Sequence, residues 1–132
     1  MKLHDAHADD VVIAYIGGGS RGWAWGLMTD LACDEQMSGT VRLYDIDREA
    51  AEKNAIIGNK ISAQKDARSP WKYAVSSTLD EALAGADFVV ISILPGTFEE
   101  MKSDVHAPEE YGIWQSVGDT VGPGGLQIGR HV

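Results

Sequence analysis

The chain has 132 residues, 44% of them hydrophobic, and a formal net charge of −9. This length suits one domain with a sizeable core, and the acidic balance excludes nucleic acid as a main partner because phosphate binding needs clustered Lys and Arg. No apolar run approaches the length of a membrane span, and the N-terminal segment lacks an apolar signal region. We expect a cytoplasmic protein with neither a nucleic-acid nor a membrane partner.

The most informative feature is the segment 11–22, VVIAYIGGGSRG, where an apolar β-like run breaks into a Gly-x-Gly-x-x-Gly pattern. Gly17 lets the chain turn sharply off the strand, and Gly19 lacks a Cβ where a pyrophosphate must approach backbone amides. Gly22 is expected to allow close packing of the following helix on the strand. The pattern predicts a dinucleotide-binding turn, with a plain strand-to-helix turn as the alternative.

The helix after this turn is predicted over residues 20–31. Its first N–H groups have no partner inside the helix and lie at the positive end of the helix dipole, so they can bind phosphates. Cys33 is the only cysteine, which excludes an intrachain disulfide. Its place in the first helix indicates a small packed side chain rather than a nucleophile.

A second predicted strand, residues 41–47 (VRLYDID), ends in two carboxylates. Asp45 follows the glycine turn at about the 20-residue spacing expected of an acid that accepts hydrogen bonds from the adenosine ribose. Such a carboxylate repels a 2′-phosphate and favours NAD over NADP. Asp47 is predicted to be the N-cap of the next helix, and a purely structural role is the alternative for Asp45 as well. Arg48 could reach a 2′-phosphate but is more typical of a solvated charge at a helix start.

Strands and helices alternate along the rest of the chain, which predicts a parallel sheet. The elements predicted next are a helix over about residues 48–65, a strand over 72–76, a short helix to Ala84 opened by a capping-box pattern at Thr78, and a strand over 88–94. The last strand, FVVISIL, is continuously apolar, as expected of a central strand covered by helices on both faces. We predict an α/β fold, a Rossmann-like doubly wound parallel sheet that forms one domain over residues 1–132.

The end of the 88–94 strand is a second candidate region, since ligands of open parallel sheets bind outside the carboxyl ends of the strands. Pro95 and Gly96 follow this strand directly. They would bring backbone close to the middle of the cofactor, or would form a tight turn into a helix begun by Thr97. Both interpretations are kept.

Two further elements are predicted before the chain reaches a second glycine cluster. Residues 98–111 have a helical pattern that is interrupted by Pro108, and residues 113–117 form a fifth short strand. The cluster that follows is GDTVGPGG, residues 118–125.

With these segments the chain resembles the NAD-dependent family 4 glycoside hydrolases. The resemblance rests on IGGGSRG at residues 16–22, LYDID at 43–47, GADFVVISILPG at 85–96 and YGIWQSVGDTVGPGG at 111–125. The last segment is the most specific, because the first two occur in many dinucleotide enzymes. The Pro-Gly after the fourth strand and the Gly-Asp-Thr run are most similar to the α-galacturonidase branch.

The resemblance implies a redox and elimination route of glycoside cleavage, unlike hydrolysis by paired carboxylates. NAD takes a hydride from C3 of the sugar, a base removes the acidified proton on C2, the group on C1 is eliminated, water adds, and the hydride returns. A divalent metal, typically manganese, stabilises the developing enolate as a Lewis acid. The implied cofactors are therefore NAD and a metal, the implied substrate is a small glycoside, and the full-length enzyme is expected to be a homo-oligomer.

The matching positions carry site residues onto this chain. The implied cofactor-binding residues are Gly17, Gly19, Ser20, Gly22, Asp45, Pro95 and Gly96. Asp119 and Thr120 match a sugar-side segment, where they could contact the nicotinamide or a sugar hydroxyl, or could cap a helix instead. Residues 99–101 (Glu-Glu-Met) occupy the region where phosphosugar-specific members present an arginine, which favours an unphosphorylated substrate.

The chain also departs from the family. Members are much longer, and their metal ligands and catalytic base lie beyond the matching region, so the sequence names neither a metal ligand nor a catalytic residue. Cys33 does not occupy the family's metal-binding position, and none of the histidines has ligand spacing with it. These histidines are His4, His7, His106 and His131.

Two hypotheses of different class follow. We expect a fragment or frameshifted product that is the cofactor-binding portion of such a glycosidase and is inactive alone. The alternative is a non-catalytic module that binds a dinucleotide or S-adenosylmethionine.

Overall fold

The structure is a computed structural model that describes residues 1–94 and 96–117. The chain divides into two compact units, Met1–Ile93 and Leu94–Val132. The first unit contains the sheet and the helices packed on it, and the second contains a helix followed by a 3-10 helix. Among the described residues, no helix is both long enough and apolar enough to cross a membrane.

The elements alternate between strand and helix once the N-terminal strand pair is passed. In chain order they are β1 (Lys2–His4), β2 (His7–Ile16), α1 (Trp23–Cys33), β3 (Met37–Tyr44), α2 (Arg48–Ser62), β4 (Trp71–Val75), α3 (Leu79–Leu83), β5 (Phe88–Ile91) and α4 (Phe98–His106), followed by the 3-10 helix Ala107–Tyr111. The predicted α/β class is confirmed.

β2 is the central strand of the sheet. It pairs in parallel with β3 along one edge and with β5 along the other, and β4 adds to β3 in parallel. Ile16, the last residue of β2, is paired with Tyr44 of β3 and with Ile91 of β5. The strand order β4-β3-β2-β5 therefore reverses at β2, which is the arrangement at whose carboxyl edge doubly wound sheets bind nucleotides.

β1 forms an antiparallel hairpin with the start of β2, with Lys2 opposite Asp9. The turn places Asp5 in the left-handed region at φ 49°, a conformation that Asp tolerates better than most residues. Because β3 occupies the other edge of β2, the hairpin strand and β5 share one edge. The sequence analysis did not predict this hairpin.

The core of the first unit lies between the sheet and helices α1 and α2. Its buried hydrophobic cluster consists of Val11, Ile13, Tyr15, Ala24, Met28, Leu31, Val41, Leu43, Ala51, Trp71 and Tyr73. α2 approaches β4 closely at Gly58, where a Cβ would lie 2.6 Å from Cγ of Tyr73. The absence of a side chain at Gly58 therefore makes room for a buried aromatic ring.

Several predicted elements differ in extent from the observed ones. α1 begins at Trp23 rather than at residue 20, because the Ser20 N–H closes a tight turn onto the Gly17 carbonyl at 3.0 Å. α2 ends at Ser62. β5 ends at Ile91, and the side chain of Phe88 is 51% exposed. Coverage of this strand on both faces is thus not found within the described residues.

In the second unit, Thr97 begins α4 with a reciprocal capping box. Its side chain accepts from the Glu100 N–H, and the Glu100 carboxylate accepts from the Thr97 N–H at 2.6 Å. α4 gives way at Ala107 to the 3-10 helix, which contains Pro108 and is followed by Gly112 at φ 70°. The predicted fifth strand over residues 113–117 is wrong, since this segment has no strand pairing in the described structure.

Candidate functional site

The glycine turn leaves β2 at its carboxyl end, where the strand order reverses. Gly17 has φ +91°, and a Cβ there would overlap the carbonyl oxygen of Ser92, just beyond β5. The N–H groups of Gly17 and Gly18 both donate to the Tyr44 carbonyl at 2.9 Å. The turn is therefore held between the ends of β3 and β5, and only glycine fits its first position.

Gly19 brings the turn against the carboxylate at the end of β3. Its N–H donates to Oδ2 of Asp45 at 2.8 Å, and Oδ1 of Asp45 accepts from the Asp47 N–H at 2.8 Å. A Cβ on Gly19 would lie 2.8 Å from Cβ of Ala50 and 2.9 Å from Oδ2 of Asp45. The protein's own packing thus already requires glycine here, independently of any pyrophosphate.

Asn54 of α2 is a site residue that the sequence analysis missed. It is only 3% exposed, and its side-chain nitrogen donates to the carbonyls of Gly18 at 2.8 Å and Ser20 at 2.9 Å. Its oxygen accepts from the Trp25 indole N–H at 2.8 Å. One sequence signal could have identified Asn54. It is a neutral amide in the second turn of the helix that follows Asp45, four residues after Ala50 and so on the same helix face.

Gly22 does not have the packing role predicted for it. It precedes α1 with φ −84°, and no described atom lies within 4 Å of the position that its Cβ would take. An L-residue can adopt this right-handed conformation, so the structure shows no steric requirement for glycine. Its assignment to cofactor binding stays a prediction.

The two residues after Asp45 have local structural roles. Asp47 caps α2 by accepting from the Ala50 N–H at 3.1 Å, which confirms the predicted cap. The guanidinium of Arg48 donates to Glu52 at 2.9 Å and to the Ser77 hydroxyl at 3.0 Å. Its charge is therefore matched on the surface rather than left free for a 2′-phosphate.

Of the remaining predicted site residues, one lies in the second unit and the others lie outside the residues that the structure describes. Gly96 has φ +90°, and a Cβ there would lie 2.8 Å from Oε2 of the capping Glu100. This agrees with the turn into a helix begun by Thr97, and the contact of Gly96 with the cofactor stays a prediction. Pro95, Asp119 and Thr120 lie outside the described residues.

No metal centre is found within residues 1–94 and 96–117, where no three His, Cys, Asp or Glu side chains converge. Cys33 is the last residue of α1 and is exposed. The prediction of a packed side chain was therefore wrong. Among the described histidines, His106 contacts the Glu109 carboxylate at 2.8 Å as a surface pair.

An apolar depression of about 800 Å³, open to solvent, adjoins the start of α1 and the end of β5. It is lined by Tyr15, Gly22, Trp23, Gly26, Leu27, Asp30, Val90, Ile91 and Ser92. Its volume falls within the usual range of small-molecule sites, roughly 300–1,000 Å³.

Together, the reversed strand order, the glycine turn and the carboxylate at the end of β3 define a Rossmann-like α/β unit. The sequence profile of the family described as Family 4 glycosyl hydrolase matches residues 12–131, and the chain belongs to this family.

Relatives with high identity are α-galacturonidases. The chain is 66% identical over 126 residues to the α-galacturonidase of Thermoanaerobacterium saccharolyticum, covering 96% of this chain and 27% of that protein. The chain is 58% identical over 124 residues to the α-galacturonidase of Bacillus subtilis, covering 94% of this chain and 27% of that protein. The chain therefore spans about a quarter of the length of these curated relatives.

Solved structures agree with the assignment of the chain to family 4. The crystal structure of the Bacillus subtilis protein lplD matches with a TM-score of 0.77 and 59% identity, covering 92% of this chain and 27% of that one. The Thermotoga maritima 6-phospho-β-glucosidase, solved with NAD and glucose-6-phosphate, matches with a TM-score of 0.68 and 27% identity, covering 91% and 28%.

Proposed function

We propose that this chain is the NAD-binding portion of a family 4 glycosidase of the α-galacturonidase type, and that it is inactive alone. The observation that carries the proposal is the meeting of Gly19 and Asp45, which brings the glycine turn and the ribose acid together at 2.8 Å. The neighbour solved with NAD and the α-galacturonidase relatives support the cofactor and the substrate class.

The described residues fit a dinucleotide. The turn presents backbone at the carboxyl edge of the sheet, and α1 begins directly behind it with the N–H groups that anions favour. Each oxygen of the Asp45 carboxylate has two acceptor lone pairs and accepts one backbone N–H, so the carboxylate can still accept from ribose hydroxyls. Its negative charge would oppose the 2′-phosphate of NADP.

When bound, NAD would supply reversible oxidation at C3 of the sugar, as the family resemblance implies. The residues of this chain would bind and orient the cofactor, and we assign none of them to proton transfer. The described residues do not fit a divalent metal, so no metal ligand is assigned among them.

An unphosphorylated sugar is the proposed substrate class. In the segment where phosphosugar-specific members present an arginine, Glu100 instead closes the capping box of α4 with Thr97. This carboxylate would repel a sugar phosphate placed near it.

Calorimetric titration of the purified chain with NAD, NADP and S-adenosylmethionine tests the proposal. We expect binding of NAD, weaker binding of NADP, and none of S-adenosylmethionine. Preferential binding of S-adenosylmethionine would favour the non-catalytic module, and absence of binding to all three would overturn the cofactor assignment. Release of product from an α-galacturonide by the chain alone would contradict its proposed inactivity.

A further inference from the structure

Asn54 makes an unusual set of contacts for a residue in the middle of a helix. Its amide nitrogen donates to Gly18 and Ser20, and its oxygen accepts from Trp25, all at 2.8–2.9 Å. A buried amide without partners is costly, and Asn is a weaker helix former than most residues. The helix and the core would favour an apolar residue at this position. The contacts with the turn are therefore what account for an Asn here.

The two carbonyls held by Asn54 fix the direction of the peptide groups that follow them. All peptide bonds in the described structure are trans, and in a trans peptide the C=O and the next N–H point in opposite directions. The Gly18 carbonyl points to Asn54, and the Gly19 N–H accordingly points the other way, to Asp45. By the same geometry, the Ser20 carbonyl on Asn54 turns the Arg21 N–H away from α2.

We propose that Asn54 is a positioning residue for the dinucleotide pyrophosphate. It acts through the turn, by holding the Ser20 carbonyl back so that the Arg21 N–H faces the phosphate. The Trp25 indole fixes the orientation of the Asn54 amide, because only the oxygen can accept from it. This inference rests on the proposed NAD binding. It assigns to Asn54 the orientation of the peptide groups that would face the phosphates in that site.

Asn59 provides a matched control on the same helix. Its nitrogen donates to the carbonyls of Ala55 and Tyr73 at 2.8 Å, and its oxygen accepts from the Tyr73 N–H at 3.1 Å. It has the same chemistry as Asn54, two donated bonds and one accepted, but it ties α2 to β4 rather than to the turn. Asn54→Asp and Asn59→Asp therefore remove equivalent donors and keep the accepted bond, and each also adds one negative charge.

The test compares ADP-ribose with adenosine as ligands of the 132-residue chain. For Asn54→Asp we expect the affinity for ADP-ribose, measured by calorimetry, to fall at least about tenfold. The affinity for adenosine, measured by ligand-observed NMR, should change less than about twofold. Asn59→Asp should lower thermal stability and leave both affinities unchanged. A purely structural role of Asn54 would lower both affinities together or neither. The carboxylate that Asn54→Asp introduces would itself repel a phosphate, so a loss for ADP-ribose that the uncharged Trp25→Phe does not share would be assigned to this charge and would overturn the inference.

A second variant keeps the inference falsifiable if Asn54→Asp does not fold. Trp25→Phe removes the indole N–H that orients the amide, together with part of a ring that is 43% exposed, and adds no charge. We expect it to weaken the binding of ADP-ribose more than that of adenosine. Equal affinity of the wild-type, Asn54→Asp and Asn59→Asp chains for ADP-ribose would overturn the inference and leave NAD binding intact. Failure of the wild-type chain to bind ADP-ribose would overturn the proposed function together with it.

Discussion

The backbone N–H of Gly19 donates to the Asp45 carboxylate at 2.8 Å, which joins the glycine turn to the end of β3. The two parts of the candidate site are therefore not independent. A change at Asp45 should alter the turn as well as the charge beside the proposed ribose site, and a change at Gly19 should displace Asp45. Predictions about cofactor preference must separate these two effects.

Replacement of Asp45 by Ala should weaken NAD binding and narrow its advantage over NADP. In the proposed site the carboxylate would accept from the ribose and repel a 2′-phosphate, so its loss should penalise NAD more than NADP, beyond any loss that both cofactors share through the turn. The measurement is the ratio of the two dissociation constants by calorimetry. Equal losses for both cofactors would show that Asp45 acts only by holding the turn. Asp47→Ala is the control, because it should cost about 1 kcal/mol of helix-cap stability without changing the ratio.

Replacement of Gly19 by Ala should reduce both stability and NAD affinity. The new methyl would lie 2.8 Å from Cβ of Ala50 and 2.9 Å from Oδ2 of Asp45, and relief of such overpacking typically costs about 1–3 kcal/mol. Gly22→Ala is the matched control, with no described atom within 4 Å of the added carbon. Urea unfolding together with NAD titration distinguishes the two variants. A Gly19→Ala chain of wild-type stability and affinity would contradict the observed packing.

Gly58 and Gly26 lie in helices, yet the same substitution should act on them in opposite directions. Ala in place of a helical glycine normally stabilises by about 0.5–1 kcal/mol, and Gly26→Ala should do so because its added Cβ meets no described atom within 4 Å. Gly58→Ala should destabilise, since its Cβ would lie 2.6 Å from the Tyr73 ring. Chemical unfolding of both variants checks the sign. A stabilised Gly58→Ala chain would show that α2 can move away from β4 at little cost.

The Tyr73 hydroxyl predicts a pH dependence of stability. Burial raises the pKa of Tyr73 to about 12 from 10.0, so the folded state retains a proton that the unfolded state loses. The resulting stability is fully present below pH 10 and is lost as the pH rises from about 10 to about 12, by about 2–3 kcal/mol in total.

Tyr73→Phe isolates this contribution. Its unfolding free energy should fall less than that of the wild type between pH 8 and pH 11.5, as measured with urea. The Tyr73 hydroxyl has no hydrogen-bond partner among the described residues, so its removal should leave stability at pH 7 equal or higher. Parallel curves for the two proteins would show that the hydroxyl reaches water in the folded state.

Local patterns predicted much of this architecture. The turn at Gly17, the Asp47 cap and the alternation of strands and helices depend on residues close together in sequence, and these predictions were confirmed. The capping-box pattern at Thr78 was right in half of its contacts. Thr78 accepts from the Glu81 N–H, but the Glu81 carboxylate accepts from Ser77 instead of from the cap itself.

Other features depend on contacts that sequence patterns do not contain. The segment of β1 is polar, and it forms a strand only because the edge of β2 offers pairing partners. Residues 113–117 have strand-like composition but no pairing partner within the described structure. From sequence alone, Asn54 is typical of a solvated helix surface. In the fold it lies beneath the turn and is 3% exposed.

The anchoring of the turn by Tyr44, Asp45 and Asn54 bears on how this region can be exchanged between homologues. Recombination breakpoints between residues 22 and 54 would separate the glycines from side chains and carbonyls that hold their backbone groups. The turn and the groups that hold it thus form one continuous block of sequence, from the end of β2 into α2. A chimera that inherits only the glycine motif would have the glycine sequence without the hydrogen-bond partners that hold the turn in its conformation.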